Sequence, residues 1–433
     1  MDLLVENGAV YAGGEVIDAD VGVRDGRIAE VGDVGGADRV LDASGCLVLP
    51  GLVNAHTHAS MTLLRGYADD LPLQTWLEDH IWPVEAHLTA DDVRLGAELA
   101  AVEMVRSGTT AFADMYFRMD EVADVVDRSG LRASLGYGMI TVDENDEGAR
   151  EEVDRAVGFV REHDGAGDGR VQTMLCPHAP YTCDDETLSE AAEAARDEGV
   201  VLHTHLSETA GEVEDCLGAH DRRPPEYLDS LGVFEGDAYV AHGVHLDEDD
   251  VELLAHRGVG VAHCPSANMK LASGTAPVAG LLGAGVTVGI GTDGPASNNT
   301  LDMLKETRHA ALVAKNREGD ASAVPARAAL EAATRGGARL LDTGAGVIEE
   351  GRPADLAVVD LEAPHLAPRH DLVSHAVYAA RGSDVVHTVV DGNVLMEDGV
   401  VETLDADRIV AEAEEAAREL VERAESETED GGA

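Results

Sequence analysis

LVLPGLVNAHTHAS, residues 47–60, runs from an unbroken apolar segment into two histidines two positions apart, and this transition decides the fold reading. If the segment is extended, His56 and His58 leave the same face of one strand and can converge on one ion. In a chain with 18 histidines the pair is weak by itself, because two polar residues on an exposed face would look the same. Recurrence gives it weight. HTHLSE (203–208), AHGVH (241–245) and GTDGPASNN (291–299) bring His205, Glu208, His242 and Asp293 to the ends of further apolar runs. A parallel-strand barrel delivers its chemistry at such ends.

Working outward, apolar runs recur at crossover distance: LVLPGLVNAH (47–56), TTAFADMY (109–116), RASLGYGMI (132–140), VQTMLCPHA (171–179), VVLHTHLS (200–207), AYVAHGVH (238–245), VGVAHCP (259–265) and VTVGIGTD (286–293). They are Val-rich and mostly continuous instead of alternating, as strands buried on both faces should be. Helical stretches separate them. One starts near Thr89 with Asp92 as its cap partner, passes through AELAAVEMVRSG and stops at Gly108. Eight such strands with intervening helices predict an α/β fold of the TIM-type (β/α)8 barrel class. The doubly wound alternative lacks its GxGxxG after the first strand.

The two chain ends have a different texture. LLVENGAVYAGGEVI (3–17) and VGVRDGRIAEVG (21–32) are short β segments broken at glycine turns, and DLAVVD (355–360), VVHTVVDGNVLM (385–396) and GVVET (399–403) resemble them. Residues 1–50 and 346–404 are therefore expected to form one small β-sandwich domain beside a catalytic barrel at 51–345. Residues 405–433 read as an acidic amphipathic helix ending in a frayed SETEDGGA (426–433).

At 433 residues, the chain fits one large barrel with a satellite. Its 44% hydrophobic content with only 3% aromatics means a core of Val, Leu, Ala and Ile. No segment resembles a membrane span, and the start lacks a basic stretch leading into a long apolar one, so a cytoplasmic protein is expected. Cys46, Cys176, Cys183, Cys216 and Cys264 are odd in number and contain no CxxC, which fits reduced thiols. The net charge of −53 comes from 84 acids against 31 bases, of which only Lys270, Lys305 and Lys315 are lysines. The acids are spread through periodic apolar sequence, which points to a high-salt cytoplasm where screening removes self-repulsion. Nucleic acid and anionic membranes would repel this chain and are excluded as partners.

Three imidazoles and a carboxylate from His56, His58, His205 and Asp293 suit one zinc or similar divalent ion with a position left for water. Glu208, three residues past His205, is placed for proton transfer. His242 is assigned to orienting the nucleophile, and Asp293 to accepting its proton as well as touching the metal. His203 shares the face of His205 but lies deeper and reads as a satisfied core histidine; His245, His256 and His263 are also taken as structural. Asp293 alone would be an ordinary turn acid. Two-metal barrels of this type often bridge their ions with a modified lysine. No lysine precedes Lys270 here, so one metal per subunit is expected.

The blocks PGLVNAHTHASMTLLRGYADDLPLQTWL, IWPVEAHLT, PHAPYTC, HTHLSETAGEVED and GTDGPASNNTLDML, in this order, resemble the amidohydrolase superfamily, and within it the methylthioadenosine/S-adenosylhomocysteine deaminases and their chlorohydrolase-like relatives. The resemblance implies metal ligation by His56, His58, His205 and Asp293, with Glu208 and His242 catalytic. It also implies contacts from Glu85 to ribose hydroxyls and from His178 to the nucleoside. The implied reaction is attack of metal hydroxide on C6 of an adenine, protonation of N1 by Glu208, and loss of ammonia to give the inosine analogue, with no organic cofactor. Homo-oligomers are expected by the same resemblance. Relatives that bind the homocysteine carboxylate use two arginines; Arg150 supplies one here, while Tyr137 takes the other place. Methylthioadenosine, 5'-deoxyadenosine and adenosine therefore stand beside S-adenosylhomocysteine as substrates. Deamination or dechlorination of guanine, cytosine or a triazine is the alternative within enzymes, and a non-catalytic barrel scaffold the alternative outside them.

Overall fold

A computed structural model describes residues 1–141 and 148–430, with the side chains of 427–430 excepted. Five strands open the chain: β1 (Leu3–Ala12), β2 (Glu15–Arg24), β3 (Arg27–Gly32), β4 (Arg39–Asp42) and β5 (Cys46–Pro50). Gly51 alone separates them from β6 (Leu52–Thr57). A Cβ at Gly51 would lie 2.0 Å from the Thr110 hydroxyl oxygen, so only glycine lets the chain pass this closely from one sheet to the next.

β6 begins a closed parallel barrel completed by β7 (Thr109–Tyr116), β8 (Arg132–Met139), β9 (Val171–Pro177), β10 (Val201–Leu206), β11 (Ala238–His242), β12 (Gly260–His263) and β13 (Val288–Ile290). All eight expected runs are staves. Every residue of β6, β7, β12 and β13 is buried, which is why these runs do not alternate. The barrel interior is packed with small and sulfur-bearing side chains, among them Ala55, Ala111, Ala113, Met115, Met174, Cys176 and Ala262. Helices cover the outside.

β14 (Leu356–Asp360), β15 (Val385–Val390), β16 (Asn393–Glu397) and β17 (Val400–Val401) return to the first five strands. The nine form one hydrogen-bonded sheet, with β14 antiparallel to β5 at its centre. Its own core gathers Val10, Val21, Ile28, Val48, Val358 and Val389. Arg132 at the start of β8 ties this sheet to the barrel: its Nε and Nη2 donate to the buried Asp355 carboxylate at 3.1 and 3.2 Å.

The helix predicted from Thr89 spans Ala90–Arg106, and Thr89 and Asp92 cap it reciprocally. Against it lies the C-terminal helix Ala406–Asp430, burying Ile409, Ala413, Leu420 and Ala424. This helix continues through residues expected to fray from 426, as far as Asp430. All five cysteines are free and buried. Among the described residues no helix is long and apolar enough to cross a membrane.

Candidate metal centre and active-site cavity

At the carboxyl ends of the barrel strands a cavity holds His58, Glu85, His178, His205, Glu208, His242 and Asp293 in its lining. His56 lies fully buried at its floor. The donor atoms converge: His58 Nε2 stands 3.3 Å from His205 Nε2 and 3.4 Å from Asp293 Oδ1, and His56 Nε2 is 3.5 Å from Asp293 Oδ1. Donors bound tetrahedrally to one ion at about 2.0–2.1 Å stand about 3.3 Å apart, so this cluster has the dimensions of a coordination shell.

Hydrogen bonds behind the rings sort the four histidines. His58 Nδ1 donates to the Met115 carbonyl and His205 Nδ1 to the His178 carbonyl, each at 2.6 Å. A carbonyl can only accept, so both Nε2 atoms are bare lone pairs. Two lone pairs facing one another at 3.3 Å repel unless a cation lies between them. His56 Nε2 is buried with no hydrogen-bond partner, the condition of a donor atom reserved for an ion. The residues thus fit a divalent metal. His242 differs, because Asn268 Nδ2 donates to its Nδ1 at 2.9 Å, leaving an Nε2–H that points toward Glu208 Oε2 at 3.8 Å.

Electrostatics agree with this division. Burial drives His56 down to about 4 and His178 to about 3, and lowers His58, His205 and His242 as well, so the rings are neutral, as metal ligation requires. Burial also works to raise Asp293, but the imidazole of His56, 3.5 Å away, and the neighbouring His242 and His58 hold it well below the usual carboxylate range. Glu208 is pushed up to about 8, by burial first and the Asp293 charge second. It therefore carries a proton at neutral pH. The Ser207 and Glu208 amides donate to Glu212 at 2.6 and 2.7 Å, pinning the turn that presents Glu208.

Backbone strain collects at the same rim. Ser207, His242 and Asp293, each just at or beyond a strand end, have φ of 50°, 71° and 62°. A Cβ on Gly291 would meet His56 backbone atoms at 2.9 Å, so this glycine allows the Asp293 turn to lie on β6.

Also in the lining, Glu85 accepts a hydrogen bond from the Tyr116 hydroxyl at 2.5 Å, and burial raises its carboxyl to about 7. A π turn, Leu77–Ile81, precedes it, where Pro83 has no N–H to give back to the preceding turn. His178 Nδ1 pairs with the Thr182 hydroxyl at 2.9 Å, and its ring lies 4.5 Å from that of His205. Leu73, Trp76, Leu77, Trp82, Phe117 and Ile140 add apolar surface to the lining.

One expected substrate residue, Arg150, is not brought to the cavity, and neither is Tyr137, read as occupying the second arginine's place. Arg150 lies on the first turn of the helix Ala149–His163 with its side chain 86% exposed, and its pairing is with Asp154 at 3.9 Å. Tyr137 follows strand parity to the outer face of β8, where Arg155 lies over its ring. His203 is a core histidine as read, but its Nε2 contacts the Nδ1 of His56 at 2.8 Å. His245 donates to the Ser273 carbonyl at 2.7 Å, His256 is exposed, and both ring nitrogens of the buried His263 lack partners. Sequence reading passed over Asn268, Glu212 and Tyr116. Tyr116 ends a strand run, a position that carries a signal; Asn268 and Glu212 carry none.

A parallel (β/α)8 barrel with histidine and aspartate donors at one mouth and a neutral glutamic acid beside them defines a metal-dependent hydrolase. The chain belongs to the amidohydrolase family, whose model matches residues 47–395. It is 54% identical, over 95% of its length and 98% of the relative's, to the 5-methylthioadenosine/S-adenosylhomocysteine deaminase of Natronomonas pharaonis. It is 48% identical, over 98% of its length and all of the relative's, to the 5'-deoxyadenosine deaminase of Methanosarcina mazei. A crystal structure of an adenosine deaminase from Xanthomonas campestris with bound zinc superposes with a TM-score of 0.93 at 38% identity, covering 98% of this chain and 99% of that one.

Proposed function

We propose that this chain is a hydrolytic deaminase of 5'-substituted adenosines, releasing ammonia and the inosine analogue. The observation that carries the reading is one cavity whose lining holds both the donor cluster and the half-buried Glu85 carboxyl. A nucleoside needs both ends: chemistry at C6 and acceptors for its ribose hydroxyls.

His56, His58, His205 and Asp293 would hold one ion per subunit, zinc by the donor set of imidazoles and carboxylate. Bound there, a divalent ion supplies Lewis acidity that makes a hydrolytic nucleophile available near neutral pH. The chain's own groups do the rest. Asp293 accepts the proton of the attacking water, and the His242 Nε2–H orients the oxygen. Glu208, carrying its proton, gives it to ring N1 as C6 becomes tetrahedral; Asp293 then passes the proton taken from water to the exocyclic amine, which leaves as ammonia, while the C6 hydroxyl returns a proton to Glu208 and becomes the carbonyl. Glu85 accepts from the ribose hydroxyls and His178 contacts the nucleoside. Among the described lining residues there is no Lys or Arg, and many are apolar. Methylthio and 5'-deoxy groups therefore fit better than a homocysteine carboxylate, which needs a guanidinium partner.

Ammonia release in molar KCl with added zinc tests this, comparing methylthioadenosine, 5'-deoxyadenosine, adenosine, S-adenosylhomocysteine, guanine and an aminotriazine. Turnover of the adenosines, fastest with the neutral 5' groups, is expected. Silence on every adenosine from protein with bound metal would sink the reading.

A further inference from the structure

His203 forms a buried imidazole pair with His56, and the catalytic roles leave His203 unused. His203 Nδ1 lies 3.1 Å from the Tyr239 carbonyl, which can only accept, so the His203 proton is on Nδ1. The ring is fully buried and stacked on the Tyr239 ring at 4.0 Å, and its two hydrogen-bond partners are that carbonyl and the His56 imidazole. A buried cation without a carboxylate is costly, so the ring is neutral and its Nε2 is an acceptor. His56 Nδ1, 2.8 Å away, must then be the donor, and the His56 lone pair is placed on Nε2, the atom left without a partner at the cavity floor.

We propose that His203 is a positioning residue that sets the tautomer and ring direction of His56, handing the orientation of the Tyr239 carbonyl through two imidazoles to the metal site. The inference rests on the reading of His56 as a ligand. His58 and His205 receive the same service from backbone carbonyls directly. His56 needs a side chain to do it, and strand parity supplies one: His203 and His205 share the inward face of β10, one layer apart.

The test is zinc affinity, measured by chelator competition on metal-depleted protein in molar KCl, together with the melting temperature. His203→Leu keeps volume and loses the relay; His203→Gln can accept from His56 and donate to Tyr239. Leu is expected to weaken zinc binding about 10–100-fold, the usual cost of losing such an outer partner, with Gln recovering most of it. Equal zinc affinity in folded Leu variant and parent would overturn the proposal, as would a Gln variant no better than Leu at equal melting temperature. Should the Leu variant not fold, neutron diffraction on the unaltered protein decides: deuterons on both Nδ1 atoms are expected, and one on His203 Nε2 overturns the relay. A parent that binds no zinc would instead remove the metal reading, while the deuteron positions would still report on the pair.

Discussion

Four imidazoles crowd one floor, and what stands behind each ring decides what its front can do. His56, His58 and His205 are backed by acceptors and present lone pairs, whereas His242 is backed by the Asn268 amide and presents a proton. Asn268→Leu should therefore lower turnover about 10–100-fold while zinc content per subunit stays at the parent value. Loss of zinc in a folded Asn268→Leu protein would make His242 a ligand. Glu208→Gln keeps the shape and removes the transferable proton, so turnover should fall about 10²–10⁴-fold with metal retained. Glu85 gives a pH dependence whose sign can be worked out. Burial raises it from 4.5 to about 7, so it is neutral below that pH and an anion above it. An anion accepts hydroxyl protons more strongly, so KM for a ribosylated substrate should fall as pH rises through about 7. A 2',3'-dideoxy analogue should show no such fall, and an identical profile for both compounds would release Glu85 from this role. The ligand histidines were legible because they close strand runs. Asn268 was not, because its importance lies in a contact 26 residues away from His242 in sequence.

Elements meet where no local pattern announces it. The eight apolar runs and the Thr89 cap could be read in advance, since burial on both faces and capping chemistry are local properties of sequence. The join between barrel and sheet could not: Arg132 and Asp355 are 223 residues apart and neither sits in a motif. Asp355 accepts both guanidinium bonds and the Asp391 amide at 2.8 Å, so one fully buried carboxylate serves β8, β14 and the turn after β15. Among the described residues Asp355→Ala leaves the Arg132 guanidinium with only Asp391 at 3.5 Å, and should cost about 3–5 kcal/mol of unfolding free energy in molar KCl. Adding Arg132→Met should restore much of that loss, because the uncompensated charge is removed. A single variant as stable as the parent would mean the pair contributes nothing to the join. Parity explains the outward direction of Tyr137 as well. The sequence shows that it lies in a strand, but the face is set by register, and its neighbours Gly136 and Gly138 hold the inward positions.

Over the whole molecule, 84 acids against 31 bases set the conditions under which everything above operates. The acidic character was legible from composition, and the fold adds where it goes: the C-terminal helix exposes Glu412, Glu414, Glu415, Glu419 and Glu422 while its buried side grips the helix Ala90–Arg106. Such helices repel one another across the surface. The Debye length shrinks from about 10 Å at 0.1 M to about 3 Å at 1 M salt, less than the spacing of most surface charges. This is the charge pattern of a halophilic protein, and its melting temperature should rise steeply as KCl is raised over that interval. Screening and surface exclusion make different forecasts for the anion. If screening governs, KCl and KBr at equal ionic strength should stabilise alike; if exclusion governs, sulfate should far exceed both. Exchanging these five exposed glutamates of the C-terminal helix for lysine should lower the salt needed to reach a given melting temperature, since the net charge of −53 becomes ten units less negative while the buried side of the helix is untouched. An unchanged salt requirement in that variant would show that the acids act through bound ions at particular places and not through their summed field.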